Sequence, residues 1–319
     1  MDNETIQLAT ITASGIAILI SLANFIHIRT TDRRENNIKK RDDDLLVTSH
    51  LNNAFEYLWG KDGYSRTRNT NLIESAEIEL EYALKIEPNN LRAIEYEGHI
   101  YEIQGNIDEA KKRYEKSILI NPVRGRPYNC LGLISEGEHA ISHFKKAIEL
   151  DVRNAYRYNN NLGKIYVRLG ELDKAEECFN TAISLNGKFS HAYYQLGCLH
   201  KKKGEFERAR KYFENAISVD ANHVEAMTSL GALFMENLNN EEEGIAWLEY
   251  SISLNSNDDY PVAMLAAIYA DRKQPEKSLE YVERAMCINP TRRFQGDSFT
   301  DLRKEMNALL SELNSKENS

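Results

Sequence analysis

The sequence predicts an all-α protein: a solenoid of antiparallel helix pairs, preceded by a membrane-spanning helix and closed by a capping helix. Three observations carry this expectation. An apolar pattern recurs every 34 residues, and only 16 glycines and 6 prolines in 319 residues leave few breakers for a turn-rich β fold. The third is an uncharged stretch near the N terminus.

That stretch is Ile6 to Ile28, "IQLATITASGIAILISLANFIHI", which holds no Asp, Glu, Lys or Arg. A run of this length is enough to cross a bilayer as a helix. The acidic "MDNET" before it argues against a cleaved signal sequence, which starts with a basic region; a buried soluble helix is the other reading. Arg29, Arg33, Arg34, Lys39, Lys40 and Arg41 follow directly, and the retention of positive charge on the cytoplasmic side predicts the N terminus outside and the rest inside. Ala9, Ala13, Ala17 and Ser21 fall every four residues, a small-residue stripe along which two such helices could dimerise. Residues 1–28 are thus expected to be tail and membrane helix, and 29–44 a charged spacer.

The repeat organises the remainder. "NLGKIYVRLGELDKAEECFNTAISLNG" and "QLGCLHKKKGEFERARKYFENAISVDA" align Gly163 with Gly197, Gly170 with Gly204, Ala175 with Ala209, Phe179 with Phe213 and Ala182 with Ala216. Upstream, Gly98, Tyr101, Gly105, Ala110, Tyr114 and Pro122 keep the same spacing. Leu162, Ile165, Tyr166 and Leu169 fall at i, i+3, i+4 and i+7 and define one helix face. Gly170 ends that helix, and Leu172, Ala175, Phe179, Ala182 and Ile183 supply the apolar face of the next. One hairpin cannot bury both its faces, so the units must stack.

Through this 34-residue period and its Leu-Gly, Tyr, Gly, Ala, Phe, Ala and Pro positions, the chain resembles the tetratricopeptide repeat family over about 45–292. Units are expected at 91–124, 125–154, 156–189, 190–223, 224–258 and 259–292. A degenerate first unit pairs a helix near Leu45 to Trp59 with "LIESAEIELEYALKIEP". The second full unit is one turn short between Gly132 and Ala140, the unit from Val224 holds an extra residue, and Ala266 replaces a glycine in the last. Phe299, Leu302, Met306, Leu309 and Leu313 form one stripe over 297–314, read as the capping helix.

The resemblance implies that the first helix of each unit lines a concave groove where a peptide docks. On that basis the binding stripe comprises Arg126 and Asn129 in one unit, Arg157, Asn160, Asn161, Lys164 and Arg168 in the next, and His191, Tyr194, Gln195, Lys201 and Lys202 in the third. Amides can bond an extended backbone, and the cations favour an acidic segment or a free carboxylate. The carboxylate clamp of some family members is incomplete here, because His191 and Gln195 stand where basic residues would follow Asn161.

A net charge of −9 argues against wholesale nucleic-acid binding. Cys130, Cys178, Cys198 and Cys287 show neither CxxC spacing nor a disulfide ladder, and His139 and His143 lack the HExxH order, so no metal site is indicated. GxxxxGK[ST], GxGxxG and GxSxG are absent, which gives no enzyme or cofactor a foothold. The expected function is a single-pass membrane adaptor, placed in a bacterial inner membrane, that recruits an unidentified protein partner through its groove. The alternatives are a self-assembling, homo-oligomeric membrane effector with a regulatory solenoid, or an organellar import receptor.

Overall fold

The computed structural model describes residues 29–30, 33, 36–59, 69–289, 293–294 and 297–317. It divides into two compact units, the first ending at Ile134 and the second beginning at Ser135.

The first unit holds α1 (36–59), α2 (Thr70–Ile86), α3 (Leu91–Ile103), α4 (Ile107–Ile120) and α5 (Gly125–Ile134). Two of its helices start on asparagine caps: Asn69 Oδ1 accepts from the Asn71 amide, and Asn90 Oδ1 accepts from the amides of Arg92 and Ala93. Val47, Leu51, Ala54 and Leu58 of α1 recur at helical spacing and interlock with Ile73, Ala76, Leu80 and Ala83 of α2 and with Ala93, Tyr96 and Ile100 of α3. Ala110 and Tyr114 of α4 pack with Cys130 and Leu131 of α5.

The second unit runs through α6 (Gly137–Leu150), a 3-10 turn (Val152–Asn154), α7 (Ala155–Leu169), α8 (Leu172–Leu185), α9 (Ser190–Lys202), α10 (Phe206–Val219), α11 (Val224–Glu236), α12 (Glu241–Leu254), α13 (Asp259–Asp271) and α14 (Pro275–Ile288). The pairs α7/α8, α9/α10, α11/α12 and α13/α14 are tightly packed hairpins. Each needs a small residue where its helices meet. A Cβ on Gly163 would lie 2.5 Å from the Phe179 ring, and one on Gly197 2.5 Å from the Phe213 ring.

The turn inside each hairpin demands a left-handed residue. Gly105, Gly170 and Gly204 fill it at φ of 80, 78 and 77°, whereas Asn239 and Lys273 take the place at 50 and 54°. The shift from the expected position 238 to Asn239 locates the extra residue of that unit. Where Ala266 replaces the glycine, the buried Ser278 hydroxyl donates to the Ala266 carbonyl at 2.8 Å.

After α14 the chain forms two short antiparallel strands, β1 (Arg293–Phe294) and β2 (Asp297–Ser298), in the register Arg293↔Ser298 and Phe294↔Asp297. The helical pattern gave no sign of them. The final helix α15 (Phe299–Glu317) packs on α14, burying Phe299 and Met306.

The expectation of a transmembrane helix, and with it a single-pass membrane protein facing the cytoplasm, is corrected. Among the described residues no helix is long and apolar enough to cross a membrane. The reason is amphipathy: charged residues interrupt every apolar stripe, as Lys39 to Asp44 do in α1, so a run of about 20 apolar residues never accumulates. Ile6 to Ile28, including Ala9, Ala13, Ala17 and Ser21, lies outside the described residues.

Candidate functional site

The twelve stripe residues do not share one unit: Arg126 and Asn129 belong to the first, and the other ten to the second. Arg126 is committed internally. Its Nε lies 3.2 Å from the fully buried Glu95 carboxylate and its guanidinium sits over the Tyr96 ring. Arg124 donates to Glu95 from Nε at 2.8 Å, and the Ser117 hydroxyl donates to it at 3.1 Å. Asn129 is half-buried.

In the second unit the first helices of successive hairpins lie side by side. Rings link them: Tyr156 meets Phe189 at 4.9 Å between centroids, Phe189 stacks on His191, and His191 faces His223 at 4.9 Å. Lys201 of α9 donates to Glu236 of α11 at 2.9 Å. The three asparagines of α7 have three different fates. Asn159 turns back to donate to the Ala155 carbonyl at 2.8 Å, Asn160 is buried with its Oδ1 unpartnered, and Asn161 is half-buried. Asn160 is thus an interior residue rather than an open groove group.

Exposure falls instead on the cations. Arg157, Lys164 and Arg168 of α7 and Lys202 of α9 are exposed, and neither helix contains an Asp or Glu. Arg157 donates to the Tyr156 hydroxyl at 3.0 Å, and among the described residues Lys164, Arg168 and Lys202 make no ion pair. His191, Tyr194 and Gln195 are half-buried between α7 and α11. Burial, the neighbouring His223 and the Lys164 charge hold the His191 imidazole below its usual pKa, against the opposing pull of Glu225 and Asp220. The His223 imidazole, its Nδ1 3.2 Å from the carboxylate, draws Glu225 down to about 2. Burial raises the Tyr194 phenol and the Cys198 thiol, and pushes Cys178 up to about 11, so neither sulfur is an activated nucleophile.

His223 escaped the sequence reading. His223 closes one repeat unit by number but joins the next in space, and only the 34-residue offset from Phe189 marks its position. His139 is exposed and His143 half-buried, and among the described residues no group of three His, Cys, Asp or Glu side chains is arranged to hold a metal.

Family models described as tetratricopeptide repeat match residues 97–124, 156–189 and 190–223. These three segments, less than half of the chain, match the repeat. The Homo sapiens tetratricopeptide repeat protein 7B is 28% identical over 110 residues, covering 32% of this chain but only 13% of that protein. Among solved structures, the APC/C hetero-tetramer Cut9-Hcn1 matches with a TM-score of 0.57 and 19% identity over 75% of this chain and 49% of that one. Pseudomonas aeruginosa pilF gives a TM-score of 0.52 at 17% identity, covering 68% and 95% of the two chains. PilW, a type IV pilus biogenesis factor, gives 0.52 at 20%, covering 65% and 92%. At these identities the likeness shows the fold: an all-α solenoid of tetratricopeptide helix pairs.

Proposed function

We propose that this tetratricopeptide-repeat chain is a protein-interaction adaptor whose α7–α9 strip receives an acidic, extended segment of a protein partner. One observation carries the reading: two adjacent first helices expose Arg157, Lys164, Arg168 and Lys202 with no carboxylate of their own to neutralise them, in a chain of net charge −9. Such a concentration of uncompensated cations favours carboxylates through charge-assisted hydrogen bonds. Asn161 and Gln195, half-buried beside them, offer amide donors and acceptors to a peptide backbone. Lys201 is already held by Glu236 and contributes less.

The test is capture of partners from a lysate of the host by the full chain, run beside the Arg157→Glu, Lys164→Glu double variant and read by mass spectrometry. A protein retained by the parent and lost by the variant, with retention falling as salt rises, supports the strip as the docking site. Equal retention by both chains places docking elsewhere.

A further inference from the structure

The first unit offers a site of opposite sign. Glu77, Leu80, Glu81, Leu84 and Lys85 fall at i, i+3, i+4, i+7 and i+8 along one face of α2, and Glu97, Ile100 and Tyr101 face them from α3. Together they line a cleft of about 580 Å³. Leu80 and Ile100 form its floor as part of the unit's core, and the half-buried Leu84 and Tyr101 form its apolar walls.

The rim is acidic and incompletely neutralised. Glu77 accepts one hydrogen bond from Gln104 Nε2 at 2.8 Å, a neutral partner. Glu97 lies 3.4 Å from Arg113 Nε, yet burial still lifts its carboxyl above the usual range, so that cation does not offset the loss of water. Glu81 is exposed and among the described residues has no hydrogen-bond or ion-pair partner. Lys85 is the single cation in the lining. Along α2 as a whole, Glu74, Glu77, Glu79 and Glu81 stand against Lys85 alone.

We propose that this α2–α3 cleft docks a short segment of a protein partner in which lysine or arginine alternates with bulky apolar side chains. The apolar floor selects against a bare cation, and the carboxylate rim selects against a plain hydrophobic or acidic peptide. From Glu77 to Lys85 the helix rises about 12 Å, which matches about four extended residues. Ile78 and Tyr82, 54% and 53% exposed on the neighbouring face of α2, extend the apolar surface beyond the cleft mouth. The residues and the sign of charge are distinct from those of the α7–α9 strip, so either site stands if the other fails.

The test uses the full chain and a fluorescein-labelled octapeptide of alternating lysine and leucine, followed by fluorescence anisotropy. Saturable binding is expected, weakened at least tenfold in Glu77→Gln, Glu81→Gln and unchanged in Arg157→Glu, Lys164→Glu. The glutamines preserve shape, and circular dichroism confirms the fold. The proposal is overturned if the glutamine variant binds equally, if a glutamate–leucine octapeptide binds as well, or if spermine at matched charge displaces the probe as effectively as unlabelled peptide. It is also overturned in favour of a second copy of the chain if sedimentation shows self-association that the glutamine variant abolishes.

Discussion

The two units place a buried polar residue at the same point of the repeat and treat it in opposite ways. The fifth position of the repeat, counted from Leu91, Tyr156 and Val224, is Glu95 in the first unit and Asn160 and Thr228 in the second. Glu95 is fully enclosed by Arg124, Arg126 and Ser117, whereas Asn160 Oδ1 and Thr228 Oγ1 are buried without a hydrogen-bond partner. The second helix repeats the contrast. Tyr114 in the first unit bonds His99 and Glu102 through its hydroxyl, and His99 Nε2 reaches Cys130 Sγ at 3.7 Å, while Phe179 and Phe213 fill the corresponding space with carbon alone. One backbone plan therefore tolerates paired polar groups at these two positions and, elsewhere, unpaired buried atoms beside an all-carbon ring. The first unit turns Arg124 and Arg126 onto Glu95, and the second leaves Arg157, Lys164 and Arg168 exposed.

The largest effect is expected in the apolar unit. Phe213→Ala removes a fully buried ring that seats against Gly197 and should destabilise the second unit by about 3–5 kcal/mol, measured as a shift in urea midpoint. A loss under 1 kcal/mol would mean that the hairpins repack freely, and the contrast with the polar unit would dissolve.

Next comes the fifth position itself. Glu95→Ala removes the carboxylate on which Arg124 and Arg126 converge and leaves the buried Ser117 hydroxyl without its acceptor, and should cost about 2 kcal/mol, whereas Asn160→Leu removes an unsatisfied carbonyl and should be nearly neutral. Comparable losses in both variants would show that Asn160 is as structural as Glu95.

The smallest effect is electrostatic. His191 should titrate below 6.5 in proton NMR, with Glu225→Gln moving its midpoint further down and Lys164→Met moving it up. Because its folded pKa is depressed, the unfolded chain takes the proton first, so stability falls as pH drops through 6.5. Glu225, held at about 2, acts in the same sense: its contribution is complete above about 4.5 and disappears as pH falls toward 2. A midpoint unmoved by both variants would separate Lys164 and Glu225 electrostatically from His191.

Much of this contrast could not be read along the chain. Gly163, Gly197, Phe179 and Phe213 announced themselves as small and large packing positions because each recurs at a fixed spacing, but that each ring seats on its own hairpin's glycine came from the structure. Asn159, Asn160 and Asn161 are chemically identical, and their separate fates depend on angular steps of about 100° around α7 combined with what α9 presents. The cationic strip was legible because charge on a surface helix has few other places to go. The acidic cleft was not, since it needs α2 and α3 brought face to face.

By itself the sequence determined the helix pairs, their 34-residue beat, the turns that end on Gly105, Gly170 and Gly204, and the small and large positions of the hairpins, because these depend on short-range periodicity and steric volume. Only the tertiary structure decided which polar groups see water. It enclosed Glu95 and Asn160, tied Arg126 and Lys201 to carboxylates and left Arg157, Lys164 and Arg168 exposed. Burial and ion pairing depend on neighbours from other helices, and that information exists only once the helices are packed.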